Sequence, residues 1–124
     1  MSRRFTKSHE WIELDGYQGT EGTVGITHYA QKELGEIVYA QLPTVGQLVH
    51  AGGEVCVLES TKAAADVYCP VSGRITAVNE SVASHPQLIN QSPESKAWLF
   101  RIELSDPKEA SGLMSKVEYE KLIK

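Results

Sequence analysis

Short apolar segments, each four or five residues long, set the limits on this fold. They read Trp11-Ile12-Glu13-Leu14, Thr23-Val24-Gly25-Ile26, Ile37-Val38-Tyr39-Ala40, Val55-Cys56-Val57-Leu58, Arg74-Ile75-Thr76-Ala77-Val78 and Trp98-Leu99-Phe100-Arg101-Ile102. Pro43, Gly46, Gly52, Gly53, Pro70 and Gly73 break the chain between them, and Asp15-Gly16 predicts a turn after the first. This rhythm suits a small sandwich or barrel of short strands. Two Gly-bounded halves, 46–61 and 73–89, hint at a weak internal duplication.

Composition narrows the class. At 124 residues, 41% hydrophobic and 23% charged, the chain is expected to be one domain, 1–124, rather than a disordered, collagenous or disulfide-built protein. The formal charge of −4 argues against a general phosphate-backbone binder, so no nucleic-acid partner is expected. The charge is uneven. Residues 1–7 carry Arg3, Arg4 and Lys7, whereas residues 8–61 hold eight acids against the single base Lys32. That acidic half suits either solubility or steering toward basic partners.

The longest uncharged stretch, Ile37 to Gly53, contains Gln, Thr, Pro, His and three Gly, and is not a membrane span. Met1-Ser2-Arg3-Arg4-Phe5 lacks the apolar run of a signal peptide. A cytoplasmic location is expected, or an organelle matrix if the chain is a mature fragment. Two cysteines predict free thiols in a reducing compartment. The four histidines are scattered and lack metal-ligand spacing, so no metal site is expected.

Helices are expected in three places at most. Thr27 can cap one running to Leu34, with Gly35 at its end; Ser105-Asp106-Pro107 starts another; Ser115 and Glu118 have capping-box spacing. The last two form a C-terminal appendage, 105–124, over the β body. Trp11 and Trp98 are expected to be core or half-core aromatics.

The chemistry sits in Glu59-Ser60-Thr61-Lys62-Ala63-Ala64-Ala65-Asp66-Val67-Tyr68. A strand-like run, Glu54 to Leu58, precedes it, and Val67 to Gly73 reads as the returning strand, so Lys62 falls near a hairpin tip. The tip has no Gly, Asn or Pro, the residues that hairpin turns favour, and such a broken local rule marks functional sites. Small neighbours leave the Lys62 amine clear for a large enzyme. If Thr61 and Lys62 centre the turn, Cys56 faces Val67 and Cys69 lies diagonally, which disfavours a disulfide.

These residues resemble the H protein of the glycine cleavage system, a lipoyl carrier. ESTKAAADVY at 59–68 is similar to that family's lipoylation segment. SHEW at 8–11, VGIT and YAQ at 24–31, LP-x-VG at 42–46, PVSG at 70–73, VNE at 78–80, LIN at 88–90 and WLF at 98–100 follow in the family's order. The resemblance covers about residues 5–123. It implies a mainly β, lipoyl/biotinyl-type barrel-sandwich hybrid of two small sheets, with short helices and a lysine at a hairpin tip.

The same resemblance implies lipoic acid on Lys62 and a non-catalytic, monomeric carrier. Its partners would be glycine decarboxylase with pyridoxal phosphate, a tetrahydrofolate-dependent aminomethyltransferase, a flavin (FAD) dihydrolipoyl dehydrogenase and a lipoylating enzyme. Ser8, Glu10 and Asp66 match the positions that help hold the loaded arm, and Glu59 serves recognition by the lipoylating enzyme.

Thr61 stands where the family has valine, and both are β-branched. His28 stands where it has an acid at a helix start, which gives up a favourable charge–dipole interaction. Ser84-His85-Pro86 and Ser95-Lys96 also depart from the pattern. These departures leave room for two other readings, a lipoyl or octanoyl relay and an unmodified interaction domain. A biotin carrier fits less well, because Thr61 and Ala63 stand where that family has methionines.

Overall fold

The computed structural model describes residues 2–15 and 20–124, so the expected turn at Asp15-Gly16 lies partly outside the described residues. The strands are β1 (Ser2–Phe5), β2 (Glu10–Leu14), β3 (Glu21–Ile26), β4 (Ile37–Gln41), β5 (Leu48–Val49), β6 (Glu54–Ser60), β7 (Ala64–Tyr68), β8 (Gly73–Val78) and β9 (Phe100–Leu104). The helices are α1 (His28–Leu34), α2 (Glu80–Ser84), α3 (Leu88–Gln91), α4 (Lys108–Ser111) and α5 (Lys116–Leu122). Two sheets form, a six-stranded one in the order β1-β2-β3-β9-β8-β5 and a three-stranded one in the order β4-β6-β7. They face each other as a sandwich and do not close into a barrel.

The core lies between the sheets. Ile12, Val24, Ile37, Leu58, Val71, Ile75, Leu99, Phe100 and Ile102 are all fully enclosed. Strand β2 is buried on both faces, which explains its consecutive buried residues Glu10, Trp11 and Ile12. Ile12 faces the inter-sheet core. Trp11 faces a second cluster with Phe5 and Tyr119, flanked by Trp98, Met114 and Ile123. The Trp11 indole N–H is satisfied by the carbonyls of Ile26 and Pro93. Helix α5 is therefore more than an appendage, because it supplies Tyr119 to a core of its own. Its Ser115–Glu118 capping box is formed as the spacing predicts.

Three expectations need correction. The returning strand is Ala64–Tyr68 rather than Val67–Gly73; the chain turns over Cys69–Ser72, and Gly73 opens β8. Gly73 is required there, because a Cβ would sit 2.1 Å from the Glu103 carbonyl oxygen of the neighbouring strand. Helices occupy five places among the described residues, not three. The two missed, α2 and α3, have five and four residues, too few to display a 3.6-residue period. The suggested duplication is absent, since 46–61 forms β5 and β6 whereas 73–89 runs from β8 into those helices.

Helix α1 runs as expected from its Thr27 cap to Gly35. Its missing acid at position 28 is supplied from elsewhere, because the His28 N–H donates to a Glu94 carboxylate oxygen at 2.8 Å. Glu94 also lies 3.8 Å from the Arg3 guanidinium. Among the described residues, no helix is long and apolar enough to cross a membrane.

Cys56 pairs with Val67 in the β6–β7 ladder, as the spacing predicts, and both thiols are free and buried. Burial pushes the Cys69 thiol up to about 12 from its ordinary 9.0, and raises Cys56 as well. The native state therefore keeps protons that the unfolded chain releases above 9.0. Stability that is fully present below that pH is lost as pH rises toward 12. Urea midpoints are expected to fall across this range, and iodoacetamide at about pH 8 to label neither thiol until the protein is unfolded.

Candidate functional site

The tip of the β6–β7 hairpin is a two-residue loop, Thr61-Lys62, closed by the Ser60 N–H donating to the Ala63 carbonyl at 2.8 Å. Two-residue hairpin loops normally use primed turns with positive φ. Among the described residues only His9 has positive φ without being glycine, so Thr61 and Lys62 form no such turn. The Ser60 side chain takes over its role. Its hydroxyl oxygen accepts the N–H groups of Lys62 and Ala63, both at 3.1 Å, and its proton goes to the Ala63 carbonyl. The absent turn glycine is thus replaced by a local side-chain cap.

The tip is also tied to the body. The Thr61 N–H donates to the Glu36 carbonyl at 3.0 Å. Beneath it, Asn90 fixes the segment between α1 and β4. Its amide donates to Gly35 O at 2.8 Å and to Gln31 Oε1 at 3.0 Å, and its oxygen accepts the Ile37 N–H. Gly35 has φ +84°, and a Cβ there would lie 3.3 Å from Lys62 Cε. The backbone conformation favours glycine there, and the lysine stem passes close above it. Lys62 itself is exposed.

Between α1, the β1–β2 loop and β7 lies a cleft of about 340 Å³, lined by Ser8, His9, Glu10, Tyr29, Glu33 and Asp66 among others. Glu10 forms its innermost polar point and is only 2% exposed. One carboxylate oxygen accepts the hydroxyls of Thr6 and, at 2.6 Å, Ser8; the other accepts the Tyr68 N–H at 3.1 Å. Glu10 therefore joins the six-stranded sheet to β7, an edge strand of the other sheet.

Ser8 and Glu10 are thus brought together, and Asp66 only in part. Asp66 borders the cleft, yet in β7 it alternates with half-buried Ala65 and buried Val67. Its side chain stands on the exposed sheet face. Glu59 shares that face, paired with Tyr39 and Ala64.

His9 and Tyr119 were missed by sequence reasoning. The His9 ring nitrogen Nδ1 lies 2.8 Å from the Tyr119 hydroxyl, and the two residues are 110 positions apart. His9 lies in the SHEW segment and Tyr119 follows the Ser115 cap, but nothing along the chain links the two. Among the described residues no cluster of three or more His, Cys, Asp or Glu is placed to hold a metal ion.

Glu10→Ala leaves the Tyr68 N–H and two hydroxyls without their acceptor. It is expected to cost about 2–3 kcal/mol of stability in urea unfolding, and Glu10→Gln less than half of that.

The glycine cleavage H-protein family model matches residues 3–124. The chain is 47% identical over 123 residues to a glycine cleavage system H protein of Paramagnetospirillum magneticum, covering 99% of this chain and 96% of that one. It is 46% identical over 118 residues to one of Thermotoga maritima, covering 95% and 93%. A crystal structure of a glycine cleavage system H protein from Mycobacterium marinum superimposes with a TM-score of 0.87 at 34% identity, over 97% of this chain and 94% of that one. With a full-length family match, close relatives and the same architecture, this chain belongs to the glycine cleavage H-protein family.

Proposed function

We propose that this chain is the lipoyl carrier of the glycine cleavage system, a single carrier domain over 1–124 with its lipoyl group on Lys62 Nζ. The observation that carries the reading is an exposed lysine on a cross-braced two-residue tip, next to a cleft that ends on a buried carboxylate. The surroundings fit such a group. The stem has room above Gly35, and the walls Ile26, Tyr29, Ala30 and Leu34 suit an aliphatic arm. When attached, the lipoyl group would supply a dithiolane whose S–S bond opens as one sulfur takes up the aminomethyl group of glycine; once that group is passed on, the dithiol left behind would be oxidised back to the dithiolane by thiol–disulfide exchange.

The chain's own residues position and shelter. Ser60 and the Thr61–Glu36 bond hold the pivot, so the arm sweeps from a fixed origin and presents its end at high local concentration. Glu10 uses three of roughly four carboxylate acceptor sites, leaving one for a cationic amine entering the cleft. Enclosure keeps water from that amine. Asp66 and Glu33 add negative charge at the cleft mouth. Glu59 on the outer face is available to a lipoylating enzyme without entering the cleft. Glycine decarboxylase, aminomethyltransferase and dihydrolipoyl dehydrogenase are the partners this reading implies, with catalysis residing in them.

Intact mass after incubation with lipoate and a lipoylating enzyme tests the assignment. The wild type is expected to gain roughly 188 Da, the mass of the carried group, and Lys62→Ala to gain nothing. An unchanged wild-type mass with the protein folded would sink the reading. Glu10→Gln, which keeps most of the hydrogen bonds, should be lipoylated normally. It should lose the aminomethyl group roughly tenfold faster in a timed release assay, because one charge-assisted bond is gone.

A further inference from the structure

We propose that Tyr119, on the C-terminal helix and remote in sequence from Lys62, is a positioning residue for the arm cleft. Its hydroxyl holds His9 and, through it, the Ser8–Glu10 pair. The inference rests on the carrier reading above, but its structural half can be tested without it.

His9 stands between Ser8 and Glu10 with φ +73°. A residue with a Cβ adopts that conformation at a cost, which Gly avoids and Asn, Asp and His bear more readily than others. Hydrogen bonds within the loop define the turn, with His9 N–H to Thr6 O at 3.1 Å and Thr6 N–H to Glu10 O at 2.9 Å. What favours histidine over those alternatives is its tertiary contacts. Its Nδ1 lies 2.8 Å from the Tyr119 hydroxyl, and its ring packs against Tyr29 at 4.7 Å and edge-on to Tyr119 at 5.7 Å.

The same phenol serves the opposite wall. Its oxygen is 2.7 Å from Thr27 Oγ1, the atom that caps α1 by accepting the Ala30 N–H. The Thr27 N–H in turn donates to the His9 carbonyl at 3.0 Å. One hydroxyl therefore joins the β1–β2 loop to the first turn of α1, the two elements between which the cleft opens. With a single proton, the phenol donates to one partner and accepts from the other.

Tyr119 is well placed to act as an anchor. It is 4% exposed and stacks on Phe5 at 4.8 Å, and the capping box fixes the start of its helix. Burial raises its phenol above the ordinary value, so the proton stays on. The Lys62 turn makes none of these bonds, so the hydroxyl bears on retention of the arm's load and not on attachment of the arm.

Tyr119→Phe removes only the hydroxyl. In the unmodified full chain, amide NMR shifts of Ser8, His9, Glu10 and Thr27 are expected to move while those of Ser60 to Ala64 stay. Unmoved Ser8–Glu10 signals would overturn the proposal whether or not the chain is a carrier. In the lipoylated chain, Tyr119→Phe should gain the same mass as wild type. It should release the aminomethyl group roughly fivefold faster, the equivalent of one hydrogen bond.

Ile75→Val, which thins the inter-sheet core and not the Phe5–Trp11–Tyr119 cluster, controls for stability. It should leave release unchanged even where its melting temperature falls as far. His9→Gly, which adopts φ +73° freely, should abolish the effect, so that adding Tyr119→Phe changes nothing more. Equal release in Tyr119→Phe and wild type, equal acceleration by Ile75→Val, or full additivity with His9→Gly would each overturn it. Failure of wild type itself to be lipoylated would refute the carrier reading, and the NMR result would still decide the role of Tyr119.

Discussion

The buried carboxylate of Glu10 is the interaction on which the rest of the site depends. A carboxylate this enclosed is costly unless its oxygens are well supplied with donors, and here two hydroxyls and a backbone N–H provide them. Those donors come from two places, the β1–β2 loop and the edge strand β7. Satisfying Glu10 therefore also fixes the distance between the two sheets along the side where the cleft opens. At the cleft, a polar bridge joins the sheets in addition to the apolar packing between them. A site built that way has a charged end and an apolar wall, which suits a cation carried on a hydrocarbon chain.

The lysine end is held by a different device. Carrier chemistry needs an amine that protrudes, yet a protruding turn rich in glycine would be mobile. Ser60 resolves the conflict by bonding the tip's N–H groups from within the hairpin, and Glu36 adds a tie from outside. Asn90 then makes the supporting segment rigid by serving Gln31, Gly35 and Ile37 at once. The pivot is stiff and the freedom is left to the side chain and whatever is attached to it. Motion is thereby confined to the part whose motion is useful.

Much of this was legible in the chain. Six of the nine strands among the described residues announced themselves as short apolar runs, α1 and α5 through their caps, and the tip through the turn residues it lacks, whereas β1 and the two-residue β5 gave no such signal. The register that sets Cys56 against Val67 followed from counting outward from Lys62. The misses have separate causes. Helices α2 and α3 are shorter than the period by which helices are recognised. The true start of β7 at Ala64 was hidden because alanines carry no strand signal. Asp66, by contrast, does border the cleft with Ser8 and Glu10, from a β7 position that strand alternation places on the exposed face. His28 read as a lost favourable charge, and the lost charge is restored by Glu94, 66 residues away.

By itself the sequence determined the class of fold, the hairpin that bears Lys62 and the residues of its turn. Each of these rests on periodicity, on caps, or on neighbours within a few positions of one another, and such interactions are written in order along the chain. The tertiary structure alone decided how deeply Glu10 is buried, that Asn90 and Glu94 support α1, and that Tyr119 reaches His9. These contacts join residues 53 to 110 positions apart. Their partners are selected by which surfaces the folded sheets bring within hydrogen-bonding distance, and no local pattern records that choice.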